Sequence, residues 1–145
     1  MKVEVKKITE MSTKELLTII EERVKVFVVE QNCPYQEVDK ADEDALHLQL
    51  KENEVLVGYT RIIECDNYVT FGRVLIVKEY RAKKLGSQLV EETLNEIKIN
   101  FPGKEIKISA QHYLLDFYKT FGFDPISDVY LEDSIPHVDM LLKVN

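Results

Sequence analysis

Arg73-Val74-Leu75-Ile76-Val77-Lys78-Glu79-Tyr80-Arg81-Ala82-Lys83-Lys84-Leu85-Gly86-Ser87 is the stretch that decides the fold. Val74 to Val77 is an unbroken apolar run, the pattern of a buried strand, and Lys78 to Lys84 is a short basic loop. Leu85, Leu89, Thr93 and Ile97 then recur at helical spacing until Pro102-Gly103 stops the helix. Glu105 to Ser109 reads as a short strand. A strand, a helix and a second strand in succession require a parallel crossover, because parallel neighbours cannot be joined by a tight turn.

Working upstream, three strands are predicted at 45–51, 54–64 and 68–77. Asn53 marks a tight turn between the first two and Asp66-Asn67 another before the third, so the three form an antiparallel meander. Residues 2–8 alternate Val3 and Val5 with Lys2, Glu4 and Lys6, the period of a half-buried strand. Ser12 stands three residues before Glu15, a capping box. Leu16, Leu17, Ile20, Val24, Phe27 and Val28 continue at helical spacing, which carries that helix to about Val28. Asn32, Pro34 and the acidic residues Glu37, Asp39, Asp42, Glu43 and Asp44 form a loop.

Downstream, Gln111 to Thr120 reads as a helix carrying Leu114, Phe117 and Tyr118, with Gly122 suited to its C-cap. Two last strands are predicted at 123–130 and 137–144. The order β-α-βββ-α-β-α-ββ is an α/β fold: a mixed, largely antiparallel sheet with helices on both faces and one parallel βαβ crossover. No repeat or low-complexity tract interrupts it, so one domain is expected over 1–145.

Composition narrows the classes of function. With 45% hydrophobic and 31% charged residues, this is the make-up of an ordinary globular protein. No apolar stretch approaches the ~20 residues that span a bilayer, and the first eleven residues lack a secretory pattern, so no membrane role and a cytoplasmic location are expected. A net charge of −7 argues against nucleic acid as a partner. Cys33 and Cys65 form no CxxC pair and read as reduced thiols. Asp39, Asp42 and His47 lack an established ligand spacing, so no metal is expected. The acidic run is either a solvated loop or an attractor for a cationic substrate.

The chemistry lies where the basic loop opens the helix. Unpaired N–H groups at a helix N-terminus bind anions, Gly86 permits close approach, and Arg81, Lys83 and Lys84 supply charge for one phosphorylated ligand. On its own the loop fits a capped surface helix equally well. It is not a Walker loop, since GxxxxGK followed by Ser or Thr is absent.

The wider pattern resembles the GNAT family of N-acetyltransferases. That family's acyl-CoA loop, R/Q-x-x-G-x-G/A, is matched by Arg81-x-x-Lys84-x-Gly86, with Lys84 in place of the first glycine. Its second landmark is matched by Phe117-Tyr118-Lys119-Thr120-Phe121-Gly122-Phe123. Val28-Val29-Glu30-Gln31-x-Cys33-Pro34-Tyr35, Asp39-x-x-Asp42, His47 and Tyr130-x-Glu132-Asp133-x-Ile135-Pro136-His137 are similar to the ElaA-like branch. The resemblance covers nearly the whole chain.

It implies transfer of an acetyl group from acetyl-CoA to an amine of a small molecule or peptide by direct attack. A non-catalytic acyl-CoA-binding or regulatory module on the same fold is the alternative. Val74, Leu75 and Ile76 would hold the pantetheine arm through their backbone, and Arg81, Ala82, Lys83, Lys84, Leu85, Gly86 and Ser87 the pyrophosphate. Gln111 stands where many relatives place an asparagine touching the cofactor. Tyr118 is the expected general acid. For the base that deprotonates the amine, His47 leads, followed by Glu30, His137 and Glu132. Each of these also has a purely structural reading, as a packed or solvated side chain. A homodimer through an exposed strand edge is a further expectation.

Overall fold

The computed structural model describes residues 1–144; Asn145, the last residue of the expected domain, lies outside them. Eight strands form one sheet: β1 (Lys2–Lys6), β2 (Leu46–Glu52), β3 (Val55–Glu64), β4 (Tyr68–Ile76), β5 (Glu105–Gln111), β6 (Asp124–Pro125), β7 (Tyr130–Glu132) and β8 (Ile135–Leu142). Their order is β1-β2-β3-β4-β5-β8-β6, with β7 also pairing β8. Only β4 and β5 run parallel; every other described pair is antiparallel. The helices are α1 (Thr13–Arg23), α2 (Leu85–Asn100) and the short α3 (Leu115–Lys119). The expected mixed sheet with a single parallel crossover is what forms, and no described helix is long and apolar enough to cross a membrane.

Local chemistry sets these elements. Ser12 Oγ accepts from the Glu15 N–H at 3.1 Å and Glu15 Oε1 accepts from the Ser12 N–H at 3.2 Å, which fixes the start of α1. After Arg23 the helix widens into π-helical turns from Val24 to Glu30, two residues beyond the predicted end. Asn53 and Glu54 have φ of 52° and 65°, consecutive left-handed residues that match a two-residue hairpin turn between β2 and β3.

The sheet separates two apolar clusters. One packs Leu89, Val90, Leu94 and Ile97 of α2 on Leu48, Val57, Ile62 and Phe71 of the strands, with Tyr118 and Phe123 beside them. The other packs Ile19 and Val26 on Leu56, Tyr59 and Leu75. Strand residues alternate between the clusters because side chains alternate across a pleat.

Toward the C-terminal end, several boundaries differ from expectation, and the last strand, predicted at 137–144, spans Ile135–Leu142. Gln111 ends β5 instead of starting a helix, because the β5–β8 ladder runs without a break from Ile106↔Leu142 to Gln111↔His137. One 3₁₀ turn (His112–Leu114) precedes α3, which Gly122 closes at φ 98°. The strand predicted over 123–130 shrinks to Asp124–Pro125, where proline withholds an N–H from the ladder. Tyr130 instead opens β7, which turns through Asp133 (φ 52°) and Ser134 (φ 64°) into β8.

Candidate active site

The parallel strands part almost at once. β4 and β5 pair at Tyr68↔Glu105 and Val69↔Ile106 and nowhere further along. Past that point both run along opposite sides of a cleft of about 770 Å³: Phe71 to Ile76 on one side, Ile108 to Gln111 on the other. Backbone groups on the facing edges have no strand partner there, which leaves them to side chains, water or a ligand.

A bulge shapes the β4 side. Tyr59 pairs with Leu75 but Arg61 with Gly72, so β4 carries one extra residue there. Arg73 sits in that bulge with φ 51°, a left-handed conformation unusual outside glycine. Val74, Leu75 and Ile76 follow along the cleft, as expected for residues presenting backbone to an extended ligand. Arg81 Nε donates to the Ile76 carbonyl at 2.9 Å, which occupies that acceptor and ties the loop to the strand end.

The loop itself is a 3₁₀ segment from Lys78 to Lys83 that reaches α2 through Lys84 at φ 56°, ψ 36°. The conformation glycine would adopt freely is thus adopted by lysine. No side chain caps α2, so its first-turn N–H groups are left without partners inside the helix. Of the seven loop residues expected to face a pyrophosphate, Arg81 and Gly86 line the cleft, as does Gln111 across it. Ala82, Lys83 and Lys84 are exposed outside it, with Lys83 Nζ 5.3 Å above the Tyr80 ring. Ser87 is exposed and Leu85 is buried in the core.

Tyr118 reaches the cleft from α3, its ring buried among Phe71, Phe117 and Phe123. Burial, with Tyr113 adding a smaller effect, pushes its phenol up to about 12.

The candidate bases divide sharply. His47 is 1% exposed and does not line the cleft. Its Nε2 lies 3.0 Å from the Asp42 carbonyl, which can only accept, so Nε2 carries the proton and Nδ1 accepts from the Tyr59 hydroxyl at 2.6 Å. Burial lowers its pKa. Both nitrogens are spent on internal bonds, and the expected lead candidate is therefore corrected to a structural histidine. Glu30 does line the cleft, but its carboxylate is 2.9 Å from Arg81 Nη1. His137 lines it too. Its Nδ1 donates to the Ile135 carbonyl at 2.7 Å, so Nε2 is the nitrogen that can take a proton, with a Glu132 carboxylate oxygen 3.6 Å away.

Residues to which the sequence assigned no chemical role surround this pair. Tyr130 stacks on His137 and donates to Asp139 at 2.6 Å, while Ser109 bonds the Tyr130 hydroxyl. On the opposite wall, Arg61 holds Asp39 at 2.7 Å and Asp42 at 3.1 Å, and Arg23 holds Asp42 at 2.8 Å. Glu37 is shared by Arg23 and Arg73 at 2.9 and 2.7 Å. The acidic run is thus mostly consumed in ion pairs, and of its five carboxylates only Glu43 and Asp44 have no arginine partner among the described residues. Spacing within the run offered no signal for this, since the arginines come from α1, β3 and β4.

Comparison with known proteins agrees with the geometry. The family model for the acetyltransferase (GNAT) domain matches residues 10–144. Protein ElaA of Escherichia coli is 40% identical over 141 residues, which cover 94% of this chain and 92% of that protein. The crystal structure of E. coli ElaA matches with a TM-score of 0.91 at 37% identity, covering 98% of this chain and 99% of that one. A crystal structure of an acyl-CoA N-acyltransferase from Pseudomonas aeruginosa matches with a TM-score of 0.90 at 35% identity and the same coverage. This chain belongs to the GNAT acetyltransferase family, in its ElaA-like branch.

Proposed function

We propose that the protein transfers an acetyl group from acetyl-CoA to a primary amine by direct attack of the amine on the thioester. The observation that carries this reading is the opening between β4 and β5, which leaves main-chain groups unpaired between the first turn of α2 and the His137–Glu132 pair.

The backbone of Val74 and Leu75 would align the pantetheine arm as an added strand does. The N–H groups of Leu85, Gly86 and Ser87, with Arg81, would receive the pyrophosphate. Lys83 and Lys84, exposed beside that turn, would add long-range attraction. Ala82 would serve through its backbone alone. Gln111 at the end of β5 faces the same cleft and would bond the arm from the other side. Glu30, paired with Arg81, anchors the loop and is not the base in this reading.

For the chemistry, His137 Nε2 would take the ammonium proton, and the Glu132 carboxylate would stabilise the imidazolium that results. The free amine then attacks the carbonyl carbon, the carbon–sulfur bond breaks, and the second proton shed by the attacking nitrogen ends on the departing sulfur as the free thiol. Tyr118 stays protonated throughout the neutral range, since its phenol stands at about 12. A thiol of ordinary pKa about 8.5 is the stronger acid, so Tyr118 acts best by donating a hydrogen bond to the departing sulfur.

The test is free-thiol release from acetyl-CoA on addition of a primary amine, together with calorimetry for coenzyme A. Heat of binding and amine-dependent thiol release are expected; no heat at millimolar coenzyme A refutes the reading. Binding that persists without turnover in wild type, with Tyr118→Phe no different, identifies a non-catalytic module.

A further inference from the structure

Resting on that reading, we infer that the acceptor is a small, cationic primary amine and not a lysine on a folded protein. The side of the cleft beside His137 is roofed. The segment after the π-helical turns crosses to the β7–β8 turn: Tyr35 Oη and Ser134 Oγ are 3.2 Å apart, and the Cys33 thiol, whose nearer acceptor is the Gln31 carbonyl at 3.4 Å, lies 3.7 Å from the Asp133 carbonyl.

Both ends of this roof are fixed. The turn is a two-residue hairpin connection with successive left-handed residues, Asp133 and Ser134, closed by Glu132↔Ile135. The crossing segment is held by the Cys33 N–H on the Val28 carbonyl at 3.0 Å and the Tyr35 N–H on the Cys33 carbonyl at 2.9 Å. Past Tyr35 the chain is anchored by Glu37 between two arginines. A lysine on a folded surface would have to bring its polypeptide through this bridge. A slender amine would not.

Charge selects within that size class. The arginines along the cleft are neutralised: Arg61 by Asp39 and Asp42, Arg73 by Glu37, Arg81 by Glu30. Glu132 and Asp133 on the hairpin have no lysine or arginine partner among the described residues, and His137 is the group that faces Glu132. The surplus at this end is negative, which favours an ammonium ion beside Nε2 of His137.

The experiment compares butylamine, an unstructured capped Ala-Lys-Ala peptide and folded lysozyme as acceptors, at equal amine concentration, by thiol release from acetyl-CoA. Wild type should favour butylamine over lysozyme by at least about tenfold in kcat/KM. The double substitution Tyr35→Ala, Ser134→Gly removes both hydroxyls of the bridge and should narrow that ratio about tenfold in favour of the lysine acceptors, with acetyl-CoA affinity unchanged by calorimetry. Equal wild-type rates on lysozyme and butylamine overturn the inference, as does an unaltered ratio in the double variant. No release with any of the three, while acetyl-CoA still binds, overturns the transfer reading itself.

Discussion

Arg73 bonds Glu37 twice, through Nε to the carboxylate at 2.7 Å and through Nη2 to the main-chain carbonyl at 2.9 Å. Arg23 grips the same two groups from the other side, at 2.9 and 3.0 Å. One acidic residue therefore joins α1 to the bulge of β4. Arg23 is fully buried and keeps Asp42 as a partner, so loss of the Glu37 carboxylate removes one of its two acidic contacts and one from Arg73. Glu37→Ala should cost about 1–3 kcal/mol of unfolding free energy. Glu37→Gln, which keeps the acceptor oxygen, should cost less; denaturant titration of both variants measures the difference.

Tyr118→Phe removes one hydroxyl and leaves the ring packed on Phe71 and Phe123. If the hydroxyl stabilises the departing sulfur, kcat should fall about 10²-fold with acetyl-CoA affinity unchanged. Steady-state kinetics alongside calorimetry separate the two quantities. A parallel loss of affinity would mean that the ring position, not the hydroxyl, was disturbed.

His137→Gln should reduce kcat/KM for the amine by about 10² or more, with acetyl-CoA affinity unchanged. Glu132→Gln should give a smaller loss, because it removes the carboxylate beside the imidazole and not the proton acceptor. His47→Gln should leave kcat/KM of the folded protein nearly unchanged, since His47 is walled off from the cleft; steady-state kinetics on the three variants checks the order.

Acid lability should arrive in two stages. Burial holds the folded-state pKa of His47 below its ordinary 6.5, so the unfolded chain binds a proton first and stability declines as pH falls below about 6.5. Asp42 comes next: burial works to raise its carboxyl, but Arg23 and the Asp39 N–H override it and bring it to about 2, from an ordinary 3.8. Its contribution is complete above 3.8 and lost as pH approaches 2. Glu4, held by Lys51 and Lys2, and Glu15, held by the Ser12 N–H and Lys6, also stand near 2 against an ordinary 4.5 and deepen the second stage. Thermal melts from pH 8 to 2 should show both, and His47→Gln should remove the first.

Lys84→Gly relieves the left-handed strain at the entrance to α2 and adds backbone freedom to the unfolded chain. These effects oppose each other at about 1 kcal/mol each, so stability should change by less than that. Acetyl-CoA affinity should drop a few-fold at low salt and converge on wild type at high salt, because the lost charge acts through solvent. Calorimetry at two ionic strengths checks this.

The order of elements was legible because most were written locally. The capping box at Ser12, the apolar face of α2 and the turn at Asn53 each announce themselves within a few residues. What failed was set by partners distant in the chain. Gln111 looks like a helix start until His137 pairs with it, and Pro125 cuts a strand that hydrophobicity alone would extend. In the site, the resemblance assigned Tyr118 and the loop, and the structure brings Tyr118, Arg81 and Gly86 to one cleft. It could not separate His47 from His137, because burial and tautomer depend on Asp42, Tyr59 and Ile135. Arg73 in its bulge was likewise invisible: arginine carries no mark of the left-handed backbone it adopts.

The two residue pairs that join β4 to β5 have a mechanical consequence. Strands β1 to β4 and strands β5 to β8 are two half-sheets meeting at a narrow hinge, with α2 spanning above it. Whatever fills the opening with main-chain bonds completes the missing ladder and braces one half against the other. Amide exchange across the Val74–Ile76 and Ile108–Gln111 edges should therefore slow together when coenzyme A is added, as a single stiffening event.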